Sequence, residues 1–320
     1  MKIFLTLLTS IAIASPVLAS ETISLETSNG RLAGTLEVPT GTGTFPVALI
    51  IAGSGPTDRE GNNSGGLNTN AYKLLAEGLA KNGIASLRHD KRGIGQSTLK
   101  DTREESVIFD DFVNDAKDLL NFLSKDPRFS KRFVIGHSEG SLIGMLAAQR
   151  LEGSTASVSG FVSLAGAGRG IDEVILEQLK SQVMPVVLEE CKRILNELKA
   201  GRKVTNPSEN LPAQLAQILF RPSVQPYLIS WLKYDPALEL KKLKTASLIV
   251  QGSTDIQVKL TDANRLADAI QTRPVIIEGM NHVFKTATLE AASQNATYSN
   301  PDLPLAPKLL ETILEFLKRI

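Results

Sequence analysis

The sequence is short of the residues that make crosslinks and metal sites. It holds one cysteine, Cys191, one tryptophan, Trp231, and three histidines, His89, His137 and His282, among 320 residues. A single cysteine excludes an intramolecular disulfide. The fold must therefore rest on its core, and a chain of this length buries most of its surface. Cys191 lies in a helical pattern and reads as a small buried apolar side chain. No His/Glu/Cys cluster has metal-ligand spacing, so no metal is expected. Basic and acidic residues nearly balance, 35 against 34, with no Lys/Arg stripe or basic tail. That argues against nucleic acid as a partner. Beyond the first twenty residues no run is long and apolar enough to cross a bilayer, so no stable membrane insertion is expected. No internal repeat and no low-complexity tract is present, and nothing in the sequence speaks to oligomeric state.

The first residues differ from the rest. Met1-Lys2 precedes a mostly apolar stretch from Ile3 to Ile13, and Val17-Leu18-Ala19 offers small or apolar residues at a cleavage site. Residues 1–19 read as a secretory signal, which predicts a periplasmic or secreted protein. Without Lys2 the basic and acidic residues balance at 34 each.

After the leader, apolar runs alternate with amphipathic patterns. Residues 22–28 and 31–38 read as a hairpin turning at Asn29-Gly30. The run Phe45 to Ala52 reads as a strand covered on both faces, with Pro46 near its start. A helix is predicted over 70–82, a strand over 84–88, and a second amphipathic helix over 108–124. Further strands are predicted over 133–135, 159–165, 246–250 and 274–277, with helices over 141–150, 259–270 and 305–319. Between 171 and 236 only helical patterns occur, broken near Pro185, Gly201 and Pro207. Strand–helix alternation predicts a mainly parallel sheet flanked by helices. The all-helical block reads as an inserted lid. The expected layout is a core over 20–168, a lid over 169–240, and the rest of the core over 241–320.

The chemistry centres on Gly136-His137-Ser138-Glu139-Gly140, between the strand at 133–135 and a helix. Strand, tight turn and helix form the context in which a G-x-S-x-G pentad exposes a serine nucleophile. A serine hydroxyl needs a neighbouring base. His137 adjoins the serine and should point away, and His89 lies one strand earlier, where a structural role is expected. His282, after the last strand, gives the order Ser138, Asp255, His282. Asp255 follows the strand at 246–250 and is the candidate for orienting the histidine. Asp262 is a rival placed inside a helix and reads as a surface residue. The oxyanion of a tetrahedral intermediate needs donors. The candidates are the backbone N–H of Glu139 and that of Ser54 or Gly55. Gly53-Ser54-Gly55 lacks the Lys-Ser/Thr of a P-loop, which argues against a phosphate cradle. Asp58, Arg59 and Glu60 read as a solvated loop or as contacts for a charged substrate group.

Ala52 to Asn62, Arg88 to Gly95, the Ser138 pentad, Gln251 to Asp255 and Gly279 to His282 together resemble the α/β-hydrolase superfamily. The likeness is to its secreted bacterial esterases and serine-aminopeptidase-like hydrolases, from about residue 31 to the C-terminus. Phe220-Arg221-Pro222 through Pro236 is similar to the back of the lid in that esterase group. The resemblance implies hydrolysis of small-molecule carboxylic esters, often short-acyl, without metal or organic cofactor. One departure is Ala52-Gly53, where relatives carry His-Gly. Two other functions fit the same sequence: a secreted aminopeptidase or amide hydrolase using the same triad, and a non-catalytic binding protein on the same fold. The apolar residues of the lid exceed what one packed face needs, so they are expected to line an acyl pocket. The glycines at 166–170 and the break near 201–210 read as hinges, with Trp231 in the moving part.

Overall fold

The structure is a computed structural model, and it describes residues 19–320. The leader reading therefore falls outside the described residues, apart from Ala19. The strands are β1 (Ala19–Thr27), β2 (Gly30–Val38), β3 (Phe45–Ile51), β4 (Ala85–His89), β5 (Thr98–Leu99), β6 (Phe129–His137), β7 (Gly160–Leu164), β8 (Ala246–Gly252) and β9 (Val275–Ile277). The core helices are α1 (Ala71–Lys81), α2 (Phe109–Ser124) and α3 (Glu139–Arg150). The insertion carries α4 (Ile171–Leu179), α5 (Pro185–Lys199), α6 (Ala213–Leu215), α7 (Gln225–Trp231) and α8 (Pro236–Lys242). The chain closes with α9 (Leu260–Ala269), α10 (Ala291–Tyr298) and α11 (Leu309–Arg319).

The strands form one sheet in the order β1-β2-β4-β3-β6-β7-β8-β9, with β5 on the end of β2. The first two pairings, β1 with β2 and β2 with β4, are antiparallel, and every pairing from β4 to β9 is parallel. Helices cover both faces, because the central strands are apolar on both sides. Val47, Leu49 and Val134 face α2 and α3, where Phe109, Val113 and Leu120 pack. Ala48, Ile50, Phe133 and Ile135 face α1 and α11, where Leu75, Leu79, Leu309 and Ile313 pack. The apolar positions of α2 recur at helical spacing, and Asp110 and Asp111 occupy its first turn, where the helix dipole favours them. This is the mainly parallel sheet with flanking helices and an inserted helical region of the α/β-hydrolase fold.

The opening hairpin is shifted by one residue from its expected turn. Gly30 pairs with Thr27, so Ser28-Asn29 make the turn. The glycine serves a close approach instead, since a Cβ there would lie 2.1 Å from the Thr98 carbonyl oxygen of β5. The two-residue β5 and the polar α10 carry too little apolar pattern to stand out in the sequence.

The lid sits between β7 and β8 and has its own core, in which Cys191, Ile194, Leu195 and Leu198 are fully buried or nearly so. Much of its apolar excess is spent there. The segments expected as hinges make close contacts. A Cβ on Gly168 would meet the Asp262 carbonyl oxygen at 2.2 Å, so the glycine permits close packing. Asp262 is fully buried, contrary to its surface reading, because its carboxylate binds Arg169 at 2.8 Å and the Gly168 N–H at 3.1 Å. Across the 201–210 break, the buried Gln225 side chain accepts from Val204 N–H and donates to the carbonyls of Val204 and Phe220. Trp231, expected in the moving part, packs on the core. It stacks on Phe109 of α2 with centroids 5.4 Å apart and planes 7° from parallel.

Candidate active site

The pentad forms the expected elbow. Ser138 follows β6 with φ 53° and ψ −119°, a conformation that costs a non-glycine residue energy and tends to be kept at functional sites. The flanking glycines are obligatory. A Cβ on Gly136 would lie 2.3 Å from the Gly140 carbonyl oxygen, and one on Gly140 would lie 2.4 Å from that of Ile51. The turn thus presses against β3 while lifting the serine to the C-terminal end of the sheet. Gly53, Asp255 and His282 follow β3, β8 and β9, so all of them gather at that same end.

His282 Nδ1 lies 2.8 Å from Asp255 Oδ2, and both side chains are buried. Asp255 is held from every side. Its Oδ1 accepts the backbone N–H groups of Gln257 and Val258, and its Oδ2 also accepts from Gln251. Burial alone would raise this carboxyl. The charge and hydrogen bond of His282 outweigh burial, together with the two backbone donors, and hold it below the usual carboxylate range. His282 lines the cavity that Ser138 also lines.

His137 points away from the serine, as expected, and does structural work. Its Nε2 lies 3.0 Å from the His282 carbonyl oxygen, so Nε2 carries the proton. Its Nδ1 must then accept, and the Tyr72 hydroxyl donates to it at 2.7 Å. The Tyr72 oxygen in turn accepts the Gly53 N–H at 3.1 Å. Burial, and next the neighbouring His282, keep His137 well below the ordinary histidine range and hence neutral. Burial raises the Tyr72 phenol, which stays a donor. His89 is also buried and neutral, lowered to about 4 by burial, and its Nδ1 has no partner among the described residues. It makes no contact with the Asp255–His282 pair through a hydrogen bond.

The charged loop residues are half-buried and paired within the fold. Arg59 forms a bidentate pair with Asp90, and Arg88 pairs with Glu37 and Glu60. Asp58 Oδ1 accepts the N–H groups of Glu60 and Asn62. These bonds staple the loop after β3 to β2 and β4. Lys91 joins that loop to the elbow: its ammonium donates to the Gly53 carbonyl at 3.0 Å and to Glu139 Oε2 at 2.8 Å. The Tyr227 hydroxyl, from α7 of the lid, donates to the other Glu139 oxygen. Nothing in the sequence pointed to Tyr227 or Tyr72, whose partners lie 88 and 65 residues away. Among the described residues the backbone N–H groups of Ser54 and Glu139 have no acceptor. Gly55 is exposed and lines neither cavity beside Ser138.

Two cavities meet at Ser138. One, of about 90 Å³, is lined by His282, His137, Thr57, Thr69, Val283 and Tyr298. The other, of about 230 Å³, lies under the lid, lined mainly by apolar side chains such as Leu142, Val174, Ile175, Leu219, Leu228 and Trp231. Glu139 lines the larger cavity and His282 the smaller, while Ser54 and Ser138 line both. Among the described residues no cluster of three or more His, Cys, Asp or Glu is disposed to hold a metal ion. No described helix is long and apolar enough to cross a membrane.

The sequence pattern of the hydrolase family described as "Serine aminopeptidase, S33" matches residues 65–285. Esterase EstD of Thermotoga maritima is 30% identical over 269 residues, spanning 81% of this chain but only 59% of that protein. Est1E from Butyrivibrio proteoclasticus has a similar structure, with a TM-score of 0.59 at 16% identity over 93% of this chain and 98% of that one. The esterase domain of a Rhodothermus marinus protein superposes with a TM-score of 0.55 at 16% identity, over 94% and 98% of the two chains. At such identities the structural likeness is one of fold alone. With the family pattern running from the loop before α1 to just past His282, this chain belongs to the serine aminopeptidase S33 family of α/β-hydrolases.

Proposed function

We propose that the chain is a serine hydrolase that cleaves carboxylic esters of short to medium acyl length through an acyl-enzyme on Ser138. The observation that carries this reading is the buried His282–Asp255 pair beside a strained serine with two free backbone donors. In the first half-reaction the Ser138 hydroxyl attacks the ester carbonyl, and His282 Nε2 takes its proton. The Ser54 and Glu139 N–H groups donate to the oxyanion. Collapse of the tetrahedral adduct breaks the ester C–O bond, and His282 gives its proton to the leaving alkoxide. Water then repeats the sequence on the acyl-enzyme. Asp255 keeps Nδ1 protonated throughout, so Nε2 is the base.

The same chemistry assigns the two cavities. The leaving oxygen must depart on the histidine side, where the smaller cavity lies. The acyl group then occupies the apolar cavity under the lid. Its walls favour a neutral acyl chain. An aminopeptidase would need a free carboxylate for the substrate ammonium. The acidic side chain lining these cavities is Glu139, and both of its oxygens are engaged by Lys91 and Tyr227. That favours esters over aminoacyl amides. With its leader, the protein would act in the periplasm or outside the cell.

A fluorophosphonate probe followed by peptide mapping should label Ser138. Initial rates on p-nitrophenyl acyl esters should exceed those on aminoacyl anilides. Labelling at another residue, or unimpaired ester hydrolysis by Ser138→Ala, would overturn the reading. Faster cleavage of the anilides would transfer it to the amide hydrolases.

A further inference from the structure

The buried Lys91 has no part in the proton transfers, yet it touches both halves of the oxyanion site. A trans peptide points its C=O and its N–H in opposite directions. The Gly53–Ser54 peptide contributes the Gly53 carbonyl and the Ser54 N–H. Lys91 pulls that carbonyl to 3.0 Å, so the Ser54 N–H must face the opposite way, toward the cavities that Ser54 lines beside Ser138. On the other side of Gly53, its own N–H is bound by Tyr72. Gly53 itself abuts the elbow, since a Cβ there would lie 3.1 Å from Ser138 Cβ. Rotation of this peptide would remove a donor from the site.

The same ammonium binds Glu139 at 2.8 Å, and Glu139 supplies the second free N–H. Its carboxylate side chain, 1% exposed, sits on the residue next to the nucleophile. Left unpaired, that charge would oppose the oxyanion. Lys91 neutralises it, and Tyr227 from the lid holds its second oxygen. Burial, and then Glu139 itself, raise the Tyr227 phenol far above its ordinary range, so it remains a donor. The Phe112 ring closes the remaining side of the ammonium, with its centroid 4.8 Å away.

We propose that Lys91 is a positioning residue that sets the direction of the Ser54 oxyanion donor, and that the lid residue Tyr227 completes this clamp through Glu139. The inference rests on the hydrolase reading above, and the two fail separately. Wild-type protein must first be labelled at Ser138 by fluorophosphonate; without that label the hydrolase reading fails.

With it, Lys91→Met should lower kcat by about 10²-fold while KM changes by less than about threefold, the pattern of a lost transition-state donor. Lys91→Arg, which can still donate to both partners, should recover much of the loss. The double variant Lys91→Met/Glu139→Gln removes the unpaired carboxylate but leaves the peptide unheld. It should stay at least about tenfold below wild type. Full recovery in the double variant would reduce Lys91 to charge compensation and overturn the positioning role. Tyr227→Phe should lower kcat in the Lys91→Met background by less than it does alone. Strictly additive losses would overturn the link to the lid. Thermal unfolding of each variant separates misfolding from misalignment: a folded Lys91→Met with wild-type kcat refutes the proposal. Should Lys91→Met fail to fold, Tyr227→Phe carries the test, and wild-type kcat in that folded variant refutes the clamp.

Discussion

Removing the Tyr72 hydroxyl tests the brace behind the oxyanion loop. Tyr72→Phe keeps the ring against Phe284 and His137 and deletes a single oxygen. That oxygen makes two buried hydrogen bonds, at 3.1 Å from Gly53 N–H and 2.7 Å to His137 Nδ1. Its loss strands one donor and one acceptor in the interior. A stranded buried polar group costs about 1–3 kcal/mol, so the pair should cost about 2–4 kcal/mol once partial relaxation is allowed. For a chain of this size, about 2 °C per kcal/mol follows, and Tm should fall by about 4–8 °C. The freed Gly53 peptide also loosens Ser54. Full removal of one oxyanion donor costs about 10²–10³ in kcat, so a loosened one should cost about tenfold, with little change in KM. Differential scanning calorimetry and initial rates on one p-nitrophenyl ester read both quantities. A variant within about 1 °C of wild-type Tm and within about twofold in kcat would refute the brace.

Four further outcomes are expected. His282→Ala should lower kcat by about 10³-fold or more, as expected when triad members act as one unit, while His89→Ala should lose stability but little kcat; the reverse ranking would show the wrong histidine had been chosen. His89 is held at about 4 against 6.5 in the unfolded chain, and His137 is lowered in the same direction. As pH falls from 6.5 the unfolded chain takes up protons that folded His89 refuses, so stability is complete above 6.5 and is lost on the way down to about 4; for His89 alone this is roughly 3 kcal/mol, and a urea midpoint that does not fall across that window would contradict it. Val174→Trp or Ile175→Trp should fill the lid cavity and move the kcat/KM optimum to shorter acyl chains, and an unmoved optimum would displace the acyl group from that cavity. A non-reacting substrate analogue should leave proteolysis at 201–210 unchanged, because Gln225 already pins that break; protection on binding would restore a moving lid.

The sequence displays the elbow because its geometry is local. Gly136 and Gly140 are dictated by packing in which an added Cβ would lie 2.3 and 2.4 Å from a backbone carbonyl oxygen, closer than a side chain tolerates. The order of Ser138, Asp255 and His282 is legible for a related reason. Each follows an apolar strand, and a parallel sheet brings strand ends together. The clamp around Lys91 is not legible, since Asp90-Lys91-Arg92 looks like any charged turn. Its partners Gly53 and Glu139 are 38 and 48 residues distant, and Tyr227 lies 88 residues beyond Glu139. Burial of so many charges is visible only once Arg59 is seen against Asp90 and Arg88 against Glu37. Asp262 misled for the converse reason. A helix position predicts exposure, but the neighbouring Arg169 made burial affordable. The lid glycines show that the residue suited to bending is equally suited to tight contact.

The separate core of the lid bears on how specificity can change within such a scaffold. Cys191, Ile194 and Leu198 are buried among lid residues, and the insertion leaves and rejoins the sheet between two adjacent parallel strands. A chimaera could therefore exchange the whole block and retain the elbow, the acid and the base. The graft would need to reproduce the tether from Tyr227 to Glu139, the Ser230 hydroxyl that accepts the Phe109 N–H at 2.7 Å, and the Gln178 side chain that donates to the Gln257 carbonyl at 3.1 Å. Those junctions, with the Arg169–Asp262 and Arg221–Glu104 pairs and the Trp231–Phe109 stack, belong to the interface at which a foreign cap could be transplanted, and with it a different acyl preference.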